Sequence, residues 1–414
     1  MKKLSIISTS RLCASLLVAL AFANGPSAHA AGVYQQHNLV ANVAETADFT
    51  DPNLVNPWGV AFHPFGRAWV ANNGTGVSTL YNGIGTPNSL VVEVPSASEP
   101  TGGNPTGIVF NGSPEFVVSV DGVSGSSRFI FATEEGVIAG WSPTVDPTRA
   151  IRVIGTTTDG ETPEDGPVYK GLALSANGTG SRLYAADFRN NKVDVFDGSF
   201  EPVTLATGAF TDPDLPEGFA PFGIQAINGS IYVAYAMQDE NQQDDVKGEG
   251  LGFVSVFNPD GEFIKRIASE GTLNAPWGMA LAPADFGEAS SRLLVGNFGD
   301  GTINAYDLAT GEFIGQLTDA SGSLIEIDGL WGLAFGNGFA NQPVNTLFFS
   351  AGPNDEQGGL YGSIEAQNGG TNGQTGTNGT PNGGTNGQTG TNGTQTGGTN
   401  GQTATNGTQT GISQ

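Results

Sequence analysis

An all-β, six-bladed β-propeller is the fold class this sequence predicts, and three observations predict it. A segment of the form x-Gly-apolar-x-apolar recurs six times, each copy is followed by paired β-rich runs, and helical periodicity is nearly absent. The copies are "PWGVAF" (57–62), "PTGIVF" (105–110), "YKGLAL" (169–174), "PFGIQA" (221–226), "PWGMAL" (276–281) and "LWGLAF" (330–335). Their glycines, Gly59, Gly107, Gly171, Gly223, Gly278 and Gly332, are spaced by 48, 64, 52, 55 and 54 residues. Units of four strands repeating at roughly 40–50 residues are the sequence signature of propeller blades.

Each element follows in order within a unit. After the glycine segment come two runs rich in Val, Ile, Phe and Tyr, joined by a Gly/Asn/Asp turn, as in "RAWVANNGTGVSTLYN" and "RLYAADFRNNKVDVFD". A further run, such as "SLVVEVP" (89–95), "RAIRVIG" (149–155), "EFIKRIA" (262–268) or "EFIGQLT" (312–318), completes four antiparallel strands. The long second interval contains an apparent extra hairpin, "EFVVSVDGVSGSSRF". The last unit has only three strands, so "QHNLVANVA" (36–44) is expected to supply the fourth and close the ring, sparing both end blades an unpaired edge.

The two ends differ from this pattern. "MKK" and Arg11 lead into the apolar run "LCASLLVALAFA", and "AHA" at 28–30 forms a cleavage site, so residues 1–30 read as a signal peptide and the mature chain as starting near Ala31. The single cysteine, Cys13, precedes the apolar run and does not fit a lipid-modified position, so the mature chain has no thiol, disulfide or cysteine ligand. Residues 36–366 are assigned to the propeller. Residues 367–414 change abruptly to Gly, Asn, Thr and Gln with a 14-residue period ("TNGQTGTNGT"), a composition that cannot offset the entropy of ordering, and are expected to be a disordered tail.

Charge narrows the partners. The formal net charge is −25, and the mature chain carries 12 basic against 40 acidic residues. Nucleic acid and anionic membranes would be repelled. No second apolar run reaches the ~20 residues that span a bilayer, and an exported monomer, periplasmic or extracellular, is expected.

"TDPNLVNPWGVAF" followed by "WVANNGTGVSTLYNG" resembles a family of uncharacterised exported proteins with NHL-like propellers, found mainly in bacteria, some of which end in a PEP-CTERM sorting signal. The resemblance covers roughly residues 37–365 and implies a fold but no activity. The polar repeat replaces that sorting signal here, so exosortase-type anchoring is not expected.

In a propeller the loops ahead of the inner strands and those joining the second and third strands gather around one channel mouth, where ligands bind. The residues before the repeated glycines, Trp58, Thr106, Lys170, Phe222, Trp277 and Trp331, are expected at or beneath that mouth. Trp58, Trp277 and Trp331 could stack on a flat ligand such as a sugar; alternatively they fill the wedges between blades. Asn72, Asp187 and Asn297 stand in the second-to-third-strand turns as ligand-binding candidates or as caps of their own turns. Glu134 and Glu135, adjacent carboxylates in the same kind of turn, are candidate Ca²⁺ ligands together with Asp187, or acid-base groups. "MQDENQQDDVKGEG" (237–250) lacks the spacing of known calcium loops and reads as a solvated loop, with a Ca²⁺-dependent lid as the alternative.

The mature chain has only His37 and His63, no Cys nucleophile, and no phosphate-binding glycine motif. Two functions stay open: a non-enzymatic binding or scaffold module for a carbohydrate, a polymer or a protein, and a Ca²⁺-dependent hydrolase resembling the lactonases, built from Glu134, Asp187 and Asn297. The second requires carboxylates and amides converging within about 5 Å on the channel axis.

Overall fold

Runs of β-branched and aromatic residues only four to nine long, punctuated by Gly, Asn and Asp, can bury their apolar side chains only by pairing into antiparallel sheets that pack face to face. The computed structural model describes residues 30–155 and 166–367, and within them the fold is all-β and propeller-like, with one 3-10 turn at Gly287–Ala289. All but the first residue of the expected tail, and residues 1–29 of the expected leader, lie outside the described residues.

The sheets follow the repeats. The first runs Pro57–Phe62, Ala68–Asn72, Val77–Tyr81 and Val92–Glu93 from inside to outside. The second runs Pro105–Phe110, Phe129–Thr133, Ile138–Trp141 and Ile151–Ile154, with the expected extra hairpin at Val117–Val120 and Val123–Ser126. The fourth is led by Phe219–Ile227, whereas the strands led by Pro276–Leu281 and those led by Leu330–Phe335 belong to one nine-stranded sheet, joined through the N-terminal strand.

The third departs from the expected four strands. Tyr169–Ala176, Ser181–Asp187 and Lys192–Asp197 form a three-stranded sheet. Its outer edge meets the chain only around Pro202 and Val203, where Val203 N–H donates to the Val195 carbonyl at 2.8 Å. Proline has no N–H to extend that ladder.

The N-terminal strand starts earlier than the sequence suggests, at Ala30, and ends at Ala41. It pairs antiparallel with Leu360–Ala366 from Tyr34 opposite Ala366 to Ala41 opposite Leu360, and its first residues touch Phe313–Thr318 in parallel. Tyr34, 1% exposed, fixes this beginning: its hydroxyl donates to the Phe286 carbonyl and accepts from Ala289 N–H, both at 3.0 Å. Cleavage after Ala30 would leave this anchor whole.

The repeated glycines explain how the sheets come together. A Cβ on Gly59 would lie within 3.0 Å of the Thr106 carbonyl oxygen, on Gly107 of Leu172 N, on Gly171 of the Phe222 oxygen, on Gly223 of the Trp277 oxygen, and on Gly278 of the Trp331 oxygen. Gly332 meets the Trp58 oxygen in the same way, so the sixth segment packs on the first. The six inner strands enclose a cavity of about 30 Å³, lined by Gly59, Gly107, Gly278 and Gly332 and by Val60, Ile108, Leu172, Ile224, Met279 and Leu333. Apolar clusters fill the spaces between sheets, for example Trp69, Phe129 and Trp141 between the first and second.

Candidate functional site

The inner strands all start at the same end of the cavity, and their first residues close it. Trp58 stacks on Trp331 with centroids 3.5 Å apart, Phe298 covers Trp331 at 3.9 Å, and Trp277 meets both tryptophans edge-on at 6.0 and 5.6 Å. Phe188 and Phe222 complete this plug. Trp58, Trp277 and Trp331 are 2%, 8% and 1% exposed, so the rings expected as a stacking platform spend their faces on one another. Trp277 Nε1 donates to the Lys170 carbonyl at 2.9 Å and Trp331 Nε1 to Asn56 Oδ1 at 3.1 Å, whereas Trp58 Nε1 has no partner.

Above this floor sits a charged layer. Lys170, the residue before the third glycine, is 1% exposed; its Nζ donates to Glu134 Oε1 at 2.5 Å and to Asp244 Oδ1 at 2.9 Å, and it lies 5.3 Å from the Trp58 ring centroid. Burial by itself would lower the Lys170 pKa, but the two carboxylates outweigh it and hold the ammonium above the ordinary lysine value. Glu134 Oε2 accepts from Asn73 Nδ2 at 2.8 Å. Asn56 Nδ2 contacts Glu356 Oε2 at 3.3 Å. Burial, reinforced by the Glu134 charge, pushes the Glu356 carboxyl up to about 7, and burial lifts Asp245 to about 6.

The acidic loop is folded onto this layer. Asp245–Val246 pairs with the end of Ser230–Gln238. Gln238 Nε2 donates to the Phe188 carbonyl at 2.6 Å, Arg189 bonds Gln243, and Gly248 N–H donates to Asn274 Oδ1 at 2.7 Å. Asp239 accepts from the Gln243 N–H at 2.8 Å within the loop's own turn. The stretch that reads as solvated in the sequence is therefore tied down at both ends and, through Asp244, in its middle.

Asn72, Asp187 and Asn297 do not reach the mouth. Asn72 Nδ2 donates to Thr79; Asp187 accepts from Val168 N–H at 3.1 Å and from Asn190; Asn297 accepts from Asn274 N–H at 3.0 Å and donates to Thr272 and Thr302. Each ties its own turn to the start of its own inner strand, or across it. The mouth takes the next residue instead, Asn73, Glu134, Phe188 and Phe298, because successive strand residues face opposite sides. Glu135 turns away to accept from Asn104 N–H at 3.1 Å. Glu134, Glu135 and Asp187 are thus not brought together, and among the described residues no three His, Cys, Asp or Glu side chains converge as metal ligands.

Lys170 appears in the sequence as one more position before a glycine, and Glu356 bears no motif at all. Their contacts join residues 36 to 300 positions apart, beyond the reach of any local pattern.

No protein-family model matches the chain. Two uncharacterized proteins of Acanthamoeba polyphaga mimivirus do: one is 35% identical over 331 residues, covering 79% of this chain and 78% of the relative, and the other 34% identical over 340 residues, covering 81% and 86%. The chain belongs to their family. These relatives are viral, where the resemblance pointed mainly to bacteria. Among solved structures, the family member is similar to virginiamycin B lyase from Staphylococcus aureus (14% identity, TM-score 0.43, 81% of this chain and 99% of that one) and to a glucose dehydrogenase (15%, 0.46, 80% and 100%). Among the described residues, no helix is long and apolar enough to cross a membrane.

Proposed function

We propose that this family member is an exported, six-bladed propeller of the NHL-like kind, closed by its N-terminal strand, that acts as a binding module through the charged mouth of its channel. The cyclic packing of the six glycine segments and the antiparallel pairing of Ala30–Ala41 with Leu360–Ala366 support the architecture. One observation carries the functional part: a lysine 1% exposed and held by two carboxylates, with Glu356 and Asp245 close by, sits directly on an aromatic plug. Burying charge is costly and does little for stability that apolar residues would not do better, so a concentration of it at one mouth marks recognition. A Ca²⁺-dependent hydrolase lacks this support, since Asp187 and Asn297 are occupied in their own turns.

Thermal melting of residues 31–414 against a panel of oligosaccharides, amines, basic and acidic peptides and Ca²⁺ tests this. A compound present at 100 times its Kd adds about 2.7 kcal/mol to stability, which raises the midpoint visibly. The expected result is a rise that Glu134→Gln and Glu356→Gln each reduce. A rise identical in both variants would place the ligand elsewhere; a rise with Ca²⁺ alone, lost in EDTA, would favour the metal-dependent alternative.

A further inference from the structure

The chemistry around the mouth narrows the ligand class. Four carboxylates, Glu134, Asp244, Asp245 and Glu356, face two ammonium groups, Lys170 and Lys247, drawn from four separate parts of the chain. Both ammonium groups also lie over aromatic rings: Lys170 Nζ is 5.3 Å from the Trp58 centroid and Lys247 Nζ 4.0 Å from that of Phe298. Their positions differ in kind. Lys170 is a fixed, buried part of the floor with two ion pairs. Lys247 stands on the acidic loop and is exposed; among the described residues it makes no ion pair within 4.0 Å of a carboxylate, and its ammonium lies over the Phe298 ring.

Two buried polar atoms here, Trp58 Nε1 and Asp245 Oδ2, have no hydrogen-bond partner among the described residues. The first belongs to a side chain 2% exposed, and the second is an acceptor with no donor. An enclosed carboxylate oxygen left unsatisfied is costly, and a bound donor would recover that cost. An anionic ligand would meet four carboxylates. A small metal ion would find no triad of ligands among the described residues. An ammonium group on an alkyl stem satisfies both the ring and the acidic surplus.

We propose that the channel mouth recognises an alkylammonium group, which takes the place over Phe298 that the Lys247 ammonium otherwise fills. Lys247 then acts as a built-in competitor, and the Asp244–Lys170 ion pair holds the loop that carries it. This assignment rests on the mouth being the binding face. Glu356 and Asp245 set its pH dependence: both carboxyls are raised, to about 7 and about 6, so the site gains negative charge as pH rises through that window, and cation binding strengthens with it. Among the described residues, Glu134, Lys170, Asp244 and Lys247 are the other charged groups facing them.

The test is calorimetric titration of residues 31–414 at fixed ionic strength with spermidine, with Nα-acetyl-lysine amide, and with the uncharged isostere Nα-acetyl-norleucine amide. Binding of either amine and not of norleucine is expected. Lys247→Met should tighten it by about 3- to 10-fold, the range a released cation–π contact allows, and Glu356→Gln should weaken it by a similar factor. Lowering the pH from 8 to 5.5 should weaken it as well. Spermidine alone would identify a free polyamine as the source, and the lysine amide alone a lysine side chain of a polypeptide. Equal binding of norleucine, no binding of either amine, or unchanged affinity in Lys247→Met overturns the assignment. If neither amine binds while another panel compound gives a rise sensitive to Glu134→Gln, the ammonium assignment falls and the mouth as binding face stands. If no compound is sensitive to the mouth variants, both fall.

Discussion

Gly223→Ala is expected to leave little soluble protein, with a loss of about 3 kcal/mol or more in whatever folds. The new methyl would be driven into the Trp277 carbonyl, and neither partner can yield: Gly223 lies in the innermost strand of its sheet, and Trp277 is locked between the aromatic plug and the Lys170 carbonyl. Overpacking against backbone costs more than overpacking against a side chain, because the clash moves a whole strand. Gly180→Ala is the control. Its backbone is not in the left-handed region, and the nearest atom to the added Cβ is the end of the Glu115 side chain at 3.7 Å, so a change within about 0.5 kcal/mol is expected in denaturant unfolding. Equal behaviour of the two variants would mean that the inner strands do not meet through their backbones.

Lys170→Ala has the second large expected effect, a loss of about 3 kcal/mol, because removing one partner of a buried ion pair leaves charges without compensation. Glu134 is one-fifth exposed and Asp244 two-thirds exposed, so the penalty falls mainly on Glu134 and lies at the lower end of that range. Adding Glu134→Gln should recover part of the loss, since the uncompensated charge goes with it. The single variant should also be cut faster by protease within residues 239–250, whose central tie is the Asp244–Lys170 bond. Unchanged stability and unchanged cleavage would show that the lysine is hydrated rather than enclosed.

The fold was legible because its cause is local and repeated. Each inner strand needs a glycine where the neighbouring backbone crosses and an apolar residue after it, and that requirement is written six times in nearly the same letters. The third sheet has three strands where the repeat implies four, because the stretch that follows Lys192–Asp197 contains Pro202, which cannot donate to the edge ladder. The N-terminal strand was placed six residues too late, since nothing in "AAGVY" announces that Tyr34 bonds a turn more than 250 residues away.

The candidate site was legible only in part. Trp58, Trp277, Trp331 and Glu134 do gather at the mouth, although the tryptophans form its floor rather than its contact surface. Asn72, Asp187 and Asn297 were right in neighbourhood and wrong in facing, by a single residue of strand alternation. Lys170, Asp244, Asp245, Lys247 and Glu356 come together from separate parts of the chain, and no spacing rule within one segment foretells that.

The most direct measurement is hydrogen–deuterium exchange of residues 31–414 with and without the panel compound that raises the melting midpoint most. Protection confined to residues 239–250, 352–358 and the turn at 133–136 is the predicted result, because these segments carry the mouth. Protection at the opposite end of the channel, around Phe62, Phe110 and the cavity of about 260 Å³ that they help to line, with no change at the mouth, would contradict it.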